Sequence, residues 1–524
     1  MRLFAALALA LAAAAAAAPA ADDSAAARLA GWLRLQHHAA PGVLSPVYAA
    51  EQPAPLAAAA SERTLWHIIN EDEHFKDLAH VLNYSSISTK KLLDGGEHGL
   101  TLLAPVNWHR EHRDAAFGTL ETDAAAAPFT AEPAVSAMTV LEQAITAMHT
   151  LADGDDDKER RRRFIQKAID ATLRYHLVAA PGGEGLKADA IAQNSSLATR
   201  LHVDGEARKY VGDLLAGEPF RVRAGKSLLP RPGVYFNFYS RLVYPDVEAA
   251  GSSVLHAVSA PLFIPPSIVQ ALLFGEPDLG GTTTAIFKLH AERFLRLPHP
   301  RRNESSVSLA HAAVLGQLVD SAYHHEEPHG DVGLATGTFF APSNLAWKRI
   351  PPMFKAYLFS PWGERLLGKV LMLHSLPYDA VFADAIYSAK GKSSGVASTE
   401  DASAIGGLGG ADVQTYVFDS ALPKIHCPHH HDHVAAKEEM EQVTVKVYRY
   451  HILPGGRGPL QTRVEVQGVG VSFQDIPAAN GAIHLLDKFI MPAGHGDGKG
   501  VWAEVAAEST RHGYGDGAAA LALL

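Results

Sequence analysis

One motif occurs twice in this chain, and it limits the fold more than any other feature. Thr101-Leu-Leu-Ala-Pro-Val-Asn107-Trp108 returns as Thr338-Phe-Phe-Ala-Pro-Ser-Asn344, followed by Leu345, Ala346 and Trp347. The two asparagines are 237 positions apart (344 − 107). Each copy opens as a short apolar run, the mark of a buried strand. Each then stops at Ala-Pro-x-Asn. Pro105 and Pro342 cannot donate to a strand ladder, and Asn107 and Asn344 suit a turn or a helix cap.

Two further elements follow each copy in the same order. Tyr175-His176 ends an amphipathic stretch in the first copy, and Leu373-His374 takes its place in the second. The first copy closes with Ser252-Ser-Val-Leu255-His256 and Leu262-Phe-Ile-Pro265. The second closes with Asn480-Gly481-Ala-Ile483-His484 and Phe489-Ile490-Met491-Pro492. Ordered repetition of several short elements marks a duplicated domain. A chain of 524 residues also exceeds what one ordinary core holds.

The strand-turn, Tyr/Leu-His and Asn-Gly-x-Ile-His elements, in this order, resemble the fasciclin-like domain. The resemblance covers residues 62–268 and 283–495. It implies an α+β fold, two tandem fasciclin-like domains, each a β-sandwich wedge with helices packed along one side. The core motif would comprise Pro105, Asn107 and His256 in the first domain, and Pro342, Asn344, Asn480, Gly481 and His484 in the second. In this family a Tyr-His element is linked to adhesion contacts, which would fall on Tyr175 and His176, with His374 as the counterpart. Leu373 replaces the tyrosine in the second copy, so that contact carries over to the first copy alone. Read from the residues alone, Tyr175 and His176 form a buried pair tying a helix to a sheet.

The copies differ in their insertions. Asn107 to His176 spans 69 positions and Asn344 to His374 spans 30; His176 to His256 spans 80 and His374 to His484 spans 110. The excess falls in 113–163 and in 391–440, and both insertions are expected on surface loops. Residues 64–82 place Leu65, Ile68, Ile69, Phe75, Leu78, Val81 and Leu82 at helical spacing, and 308–323 show a similar pattern. Val443–Tyr450 and Thr462–Gln467 alternate as strands around a Pro454-Gly-Gly turn. Asp155–Asp157 ahead of Arg160–Arg163 reads as the start of a solvated helix, the acids lying at its N-terminal end.

The ends point to export. Residues 1–20 carry a short basic start, an uncharged Leu/Ala run and small residues at 18–20, the pattern of a cleaved signal peptide. Residues 21–61 read as a flexible leader and 496–524 as a tail whose apolar end, Ala518–Leu524, is shorter than the usual lipid-anchor signal, which leaves an anchor open but not favoured. Sequons at Asn83, Asn194 and Asn303 fit the same route. A net charge of −10 argues against a nucleic-acid partner. One cysteine, Cys427, excludes an intramolecular disulfide.

Several strings imitate enzymes. His325-Glu-Glu-Pro-His329 has zinc-protease spacing, but Pro328 breaks the helix such a site needs. Gly391-Lys-Ser393-Ser-Gly395 lies in a Ser/Gly-rich insertion, and Gly225-Lys226-Ser227 has Phe220 where a phosphate loop needs glycine. No catalytic set and no cofactor are therefore expected. His426, Cys427, His429, His430, His431 and His433 concentrate metal-binding groups, and a secreted metal-binding protein is the alternative reading. The leading expectation is a secreted, extracellular or cell-wall glycoprotein. Its partners would be cell-surface or matrix proteins or polysaccharides, with no transmembrane segment and an open oligomeric state. Fasciclin-like pairs with long insertions are similar to fungal members, some of them vacuolar, so the vacuole is the alternative destination.

Overall fold

The structure is a computed structural model. It describes residues 62–108, 156–180, 182–203, 214–227, 233–274, 276–297, 333–388, 395–401, 412–423, 440–453, 457–491 and 507–514, with the single positions 138, 142 and 145. The signal peptide, the leader, the 308–323 stretch, Asn303, His325–His329 and the 426–433 histidines lie outside the described residues. The chain divides into two compact units, one holding Gly217–Pro266 and most of what precedes it, the other Ser267–Pro298 and Asp331 onward.

Helices α1 (Leu65–Glu71) and α2 (Lys76–Leu82) open the first unit. Thr64 caps α1 through its hydroxyl, which accepts the His67 N–H. All seven residues placed at helical spacing are buried in one core with Leu102, Ala104, Leu173 and Leu255. Helix α3 (Asp156–His176) follows; Arg162 and Arg163 are exposed near its start, and Ile165, Ile169 and Leu173 face the core one turn apart. The strands are β1 (Thr101–Pro105), β2 (Leu177–Val178), β3 (Ser196–Ala198), β4 (Arg221–Ser227), β5 (Gly233–Phe236), β6 (Ser240–Ala249) and β7 (Ser253–Val258). They form one sheet in the order β2-β1-β7-β6-β5-β4-β3. A bridge between Val178 and Thr199 joins the two ends of that order. Hydrogen bonding thus describes one mixed sheet wrapping onto itself, where two facing sheets were expected.

In the second unit the strands are β8 (Gly337–Pro342), β9 (Ser375–Pro377), β10 (Asp379–Phe382), β11 (Ala385–Ser388), β12 (Gly395–Asp401), β13 (Asp412–Pro423), β14 (Met440–Leu453), β15 (Arg457–Val466), β16 (Val469–Ala478) and β17 (Gly481–Leu486). Read from the other end, the sheet runs β9-β8-β17-β16-β15-β14-β13-β12, with β10 and β11 as a separate hairpin. Seven of its positions repeat the first unit's order, and β12 is added at the edge. The insertion 391–440 was expected as a loop. It supplies β12 and β13 instead, and β13 buries Val413, Phe418 and Leu422. Its β-branched and aromatic residues suit a half-buried strand.

The registers repeat as well. Leu103 pairs with His256 in the parallel β1–β7 ladder, and Phe340 with His484 in the parallel β8–β17 ladder. Thr101 pairs with Val178, two residues after His176, and Thr338 pairs with Leu376, two residues after His374.

The second unit opens earlier than its sequence suggests. Helices α4 (Ile268–Phe274) and α5 (Glu276–Lys288) belong to it, so a boundary at residue 283 cuts through α5. They stand where α1 and α2 stand in the first unit. Gly280 and Gly281 disguise α5 as a loop. A side chain at Gly281 would run into the Trp347 indole, so close approach of helix to ring demands the glycine.

Candidate functional site

Each unit places a threonine, a histidine and an aspartate around one passing segment. In the first unit the Thr101 hydroxyl accepts the Leu186 N–H at 2.7 Å, and His256 Nε2 bonds the Leu186 carbonyl at 2.8 Å. The Asp246 carboxylate accepts the Ala188 N–H at 2.8 Å, while the Asp246 N–H donates to His256 Nδ1 at 3.1 Å. In the second unit Thr338 accepts the Val381 N–H at 2.8 Å, and His484 Nε2 bonds the Val381 carbonyl at 2.7 Å. Asp475 accepts the Ala383 N–H at 2.8 Å, and its own N–H donates to His484 Nδ1 at 3.3 Å. Asp246 and Asp475 both have positive φ, 59° and 61°, at a register break in their strands. Aspartate tolerates that conformation better than most side chains.

A second histidine in each unit latches a helix end to the chain beyond the closing strand. His176 Nδ1 bonds the Thr172 carbonyl at 2.7 Å, and its Nε2 accepts the Leu262 N–H at 2.8 Å. His374 Nδ1 bonds the Val370 carbonyl at 2.8 Å, and its Nε2 accepts the Ile490 N–H at 3.0 Å. Backbone partners fix the tautomers, because a carbonyl only accepts and an amide N–H only donates. His176 and His374 carry the proton on Nδ1, and His256 and His484 on Nε2. Burial lowers the pKa of all four; for His176 and His374 it falls to about 4.

Tyr175 is fully buried. Its hydroxyl donates to the Arg221 carbonyl at 3.1 Å and accepts from Asn237 Nδ2 at 2.8 Å, and burial raises its pKa well above the usual tyrosine range. A partner surface does not reach this ring or His176, which is 2% exposed. Tyr175 bonds α3 to β4 through the Arg221 carbonyl, and His176 bonds it to Leu262.

The Ala-Pro-x-Asn residues act across elements rather than as helix caps. Asn107 accepts the Asp77 N–H at 3.2 Å and donates to the Glu73 carbonyl at 2.7 Å. Asn344 accepts the Gly281 N–H at 2.9 Å, while Ser343 caps the following helix. Pro105 and Pro342 each end their strand. Asn480 is fully buried and accepts the Ile268 N–H while donating to the Leu295 and Leu334 carbonyls, each at 2.9 Å. Gly481 follows at φ 148°, where a side chain would strike the Gly337 carbonyl.

The aspartate of each set escaped the reading of the sequence. Its signal was present: Tyr244-Pro-Asp246-Val247 and Phe473-Gln-Asp475-Ile476 precede the closing histidines by 10 and 9 positions. Gly225-Lys226-Ser227 lies within β4, not in a phosphate loop. Asn83 is exposed, and Asn194 is partly buried with its amide on the Ala190 carbonyl. Among the described residues no cluster of three potential metal ligands occurs, and no helix is long and apolar enough to cross a membrane.

No family model matches the chain, and no curated protein matches it. Among solved structures the chain is similar to the FAS1 domain pair of the insect cell adhesion molecule fasciclin I, at 12% identity and a TM-score of 0.25, over 80% of this chain and 98% of that one. The duplicated architecture stands on the residue-by-residue correspondence between the two units and not on this likeness. That correspondence defines the class: an α+β protein of two like units, each closed around the same Thr-His-Asp clamp and histidine latch.

Proposed function

We propose that this chain is an exported, non-enzymatic adhesion or matrix protein of two fasciclin-like units, meeting its partners through surface loops. One observation carries the reading. Threonine, histidine and aspartate, the residue types of a hydrolytic triad, recur in both units, yet each is engaged with backbone of a neighbouring segment. A triad needs its nucleophile hydrogen-bonded to the base. Here Thr101 and His256 bond opposite sides of the same residue, Leu186. The repeated motif is scaffold, and the units differ in what they insert. A constant scaffold carrying different insertions, one of which supplies β12 and β13, is the arrangement of a display protein.

The test uses a tagged full chain in a eukaryotic secretory host. The expected result is a chain in the medium or at the cell surface, carrying glycan that an endoglycosidase removes, and beads coated with it retained on cells or matrix. A cytosolic, unglycosylated chain, or coated beads retained no better than bare ones, overturns the proposal.

A further inference from the structure

Among the described residues of the second unit four large aromatic side chains are exposed, Phe287, Phe294, Trp362 and Tyr378, and of these Trp362, 59% exposed, has other rings gathered beside it. Its mount is rigid. The Gly363 N–H donates to the Ser360 carbonyl at 3.2 Å, and the Ser360 hydroxyl donates to the Tyr357 carbonyl at 2.6 Å. A side chain at Gly363 would strike that same carbonyl, so the turn admits only glycine. The residues 507–514 come alongside. His512 stacks on buried Tyr357 at 6.1 Å and 21°, and on Trp362 at 6.0 Å and 25°. Tyr514 lies 6.5 Å from Trp362 at 50°. Three rings, Tyr357, His512 and Trp362, thus lead from the buried side outward, and the last of them is more than half exposed. A polar edge borders them: Glu508 pairs with Arg511 at 2.5 Å and with His512 at 3.5 Å, and Arg511 is 70% exposed.

We propose that the exposed Trp362 indole, backed by His512 and flanked by Tyr514, forms a platform for one pyranose ring of a neutral glycan, with Glu508 and Arg511 reading its hydroxyls. The axial C–H face of a hexopyranose carries slight positive charge and matches the electron-rich indole face. Its equatorial hydroxyls both donate and accept, as a carboxylate beside a guanidinium requires. Glu508 disfavours an anionic ligand. The choice of ligand class rests on the adhesion reading; the geometry does not.

The full purified chain is titrated by calorimetry with cellohexaose, laminarihexaose and mannohexaose. At least one binds saturably, and Trp362→Ala weakens it tenfold or more without changing the melting temperature. Glu508→Gln gives a smaller loss. Bound sugar also protects Trp362 of the unaltered chain from oxidation by N-bromosuccinimide, read by peptide mass spectrometry, so the test does not depend on a variant folding. Binding by none of the three, binding equal in Trp362→Ala, or a Trp362→Ala effect confined to self-association overturns the site. A chain that binds sugar at Trp362 but fails to retain beads on cells overturns the adhesion reading alone. One that adheres with Trp362→Ala unchanged overturns the site alone.

Discussion

The backbone N–H of Leu262 donates to His176 Nε2 at 2.8 Å, across 86 positions of chain. Ile490 does the same to His374 in the second unit, at 3.0 Å. Neither ring can take a second proton without placing an N–H against an N–H. Stability is therefore tied to pH. The folded pKa, about 4, lies below the ordinary 6.5, so below pH 6.5 the unfolded chain binds more protons than the folded one. The contribution of each ring is whole above pH 6.5 and is lost as pH falls from there to about 4. At 1.36 kcal/mol per pKa unit the loss is about 3 kcal/mol for each ring. Urea midpoints measured from pH 7.5 to 4.5 should fall steadily below 6.5. His176→Gln with His374→Gln should lower the midpoint at pH 7.5 and flatten its slope.

The clamp threonines give a second expectation. Thr338→Val removes the acceptor for the Val381 N–H and the donor to the Asp379 carbonyl, both buried. A buried amide left unmet costs about 1–3 kcal/mol. Hydrogen exchange by mass spectrometry should speed up in peptides of the second unit covering 379–383, and Thr101→Val should do the same in the first unit around Leu186.

Asn480 should be the least replaceable side chain of the second unit. Asn480→Ala strands the Ile268 N–H and the Leu295 and Leu334 carbonyls in the interior. The expected loss is about 3 kcal/mol or more, read as a lower melting temperature of the second unit. Gly481→Ala should be at least as damaging through its clash with Gly337. The matching Ser253 of the first unit tolerates a side chain, whose hydroxyl accepts the buried Leu100 N–H at 3.1 Å, so Ser253→Ala should cost about 1–3 kcal/mol through that one lost acceptor.

Much of this was legible from the residues. The apolar spacing of 64–82 marks every core position of α1 and α2, because a helix against a core repeats its pattern locally. The paired Ala-Pro motifs mark β1 and β8 for the same reason. What escaped depends on contacts distant in sequence. Gly280 and Gly281 answer to Asn344 and Trp347, so α5 reads as a breaker until its neighbour is known. Asp246 and Asp475 make sense only beside the backbone they clamp. Asn344 reads as a cap, but the adjacent Ser343 has that role and leaves Asn344 to reach Gly281.

The sequons separate by exposure. Asn83 is exposed at the end of α2, whereas Asn194 must give up its bond to the Ala190 carbonyl before a glycan can attach. In a secreting host Asn83→Gln should abolish one endoglycosidase-sensitive species in full, and Asn194→Gln should change occupancy less.

Both units close on the same pair of neutral, buried histidines with opposite tautomers. Long-range nitrogen–proton correlation spectra of the imidazoles at pH 7 test it directly, with single His→Gln variants assigning four signals among the 28 histidines. Four neutral rings are expected, His176 and His374 protonated on Nδ1 and His256 and His484 on Nε2. A charged ring among the four, or a tautomer that differs between matched histidines of the two units, would contradict it.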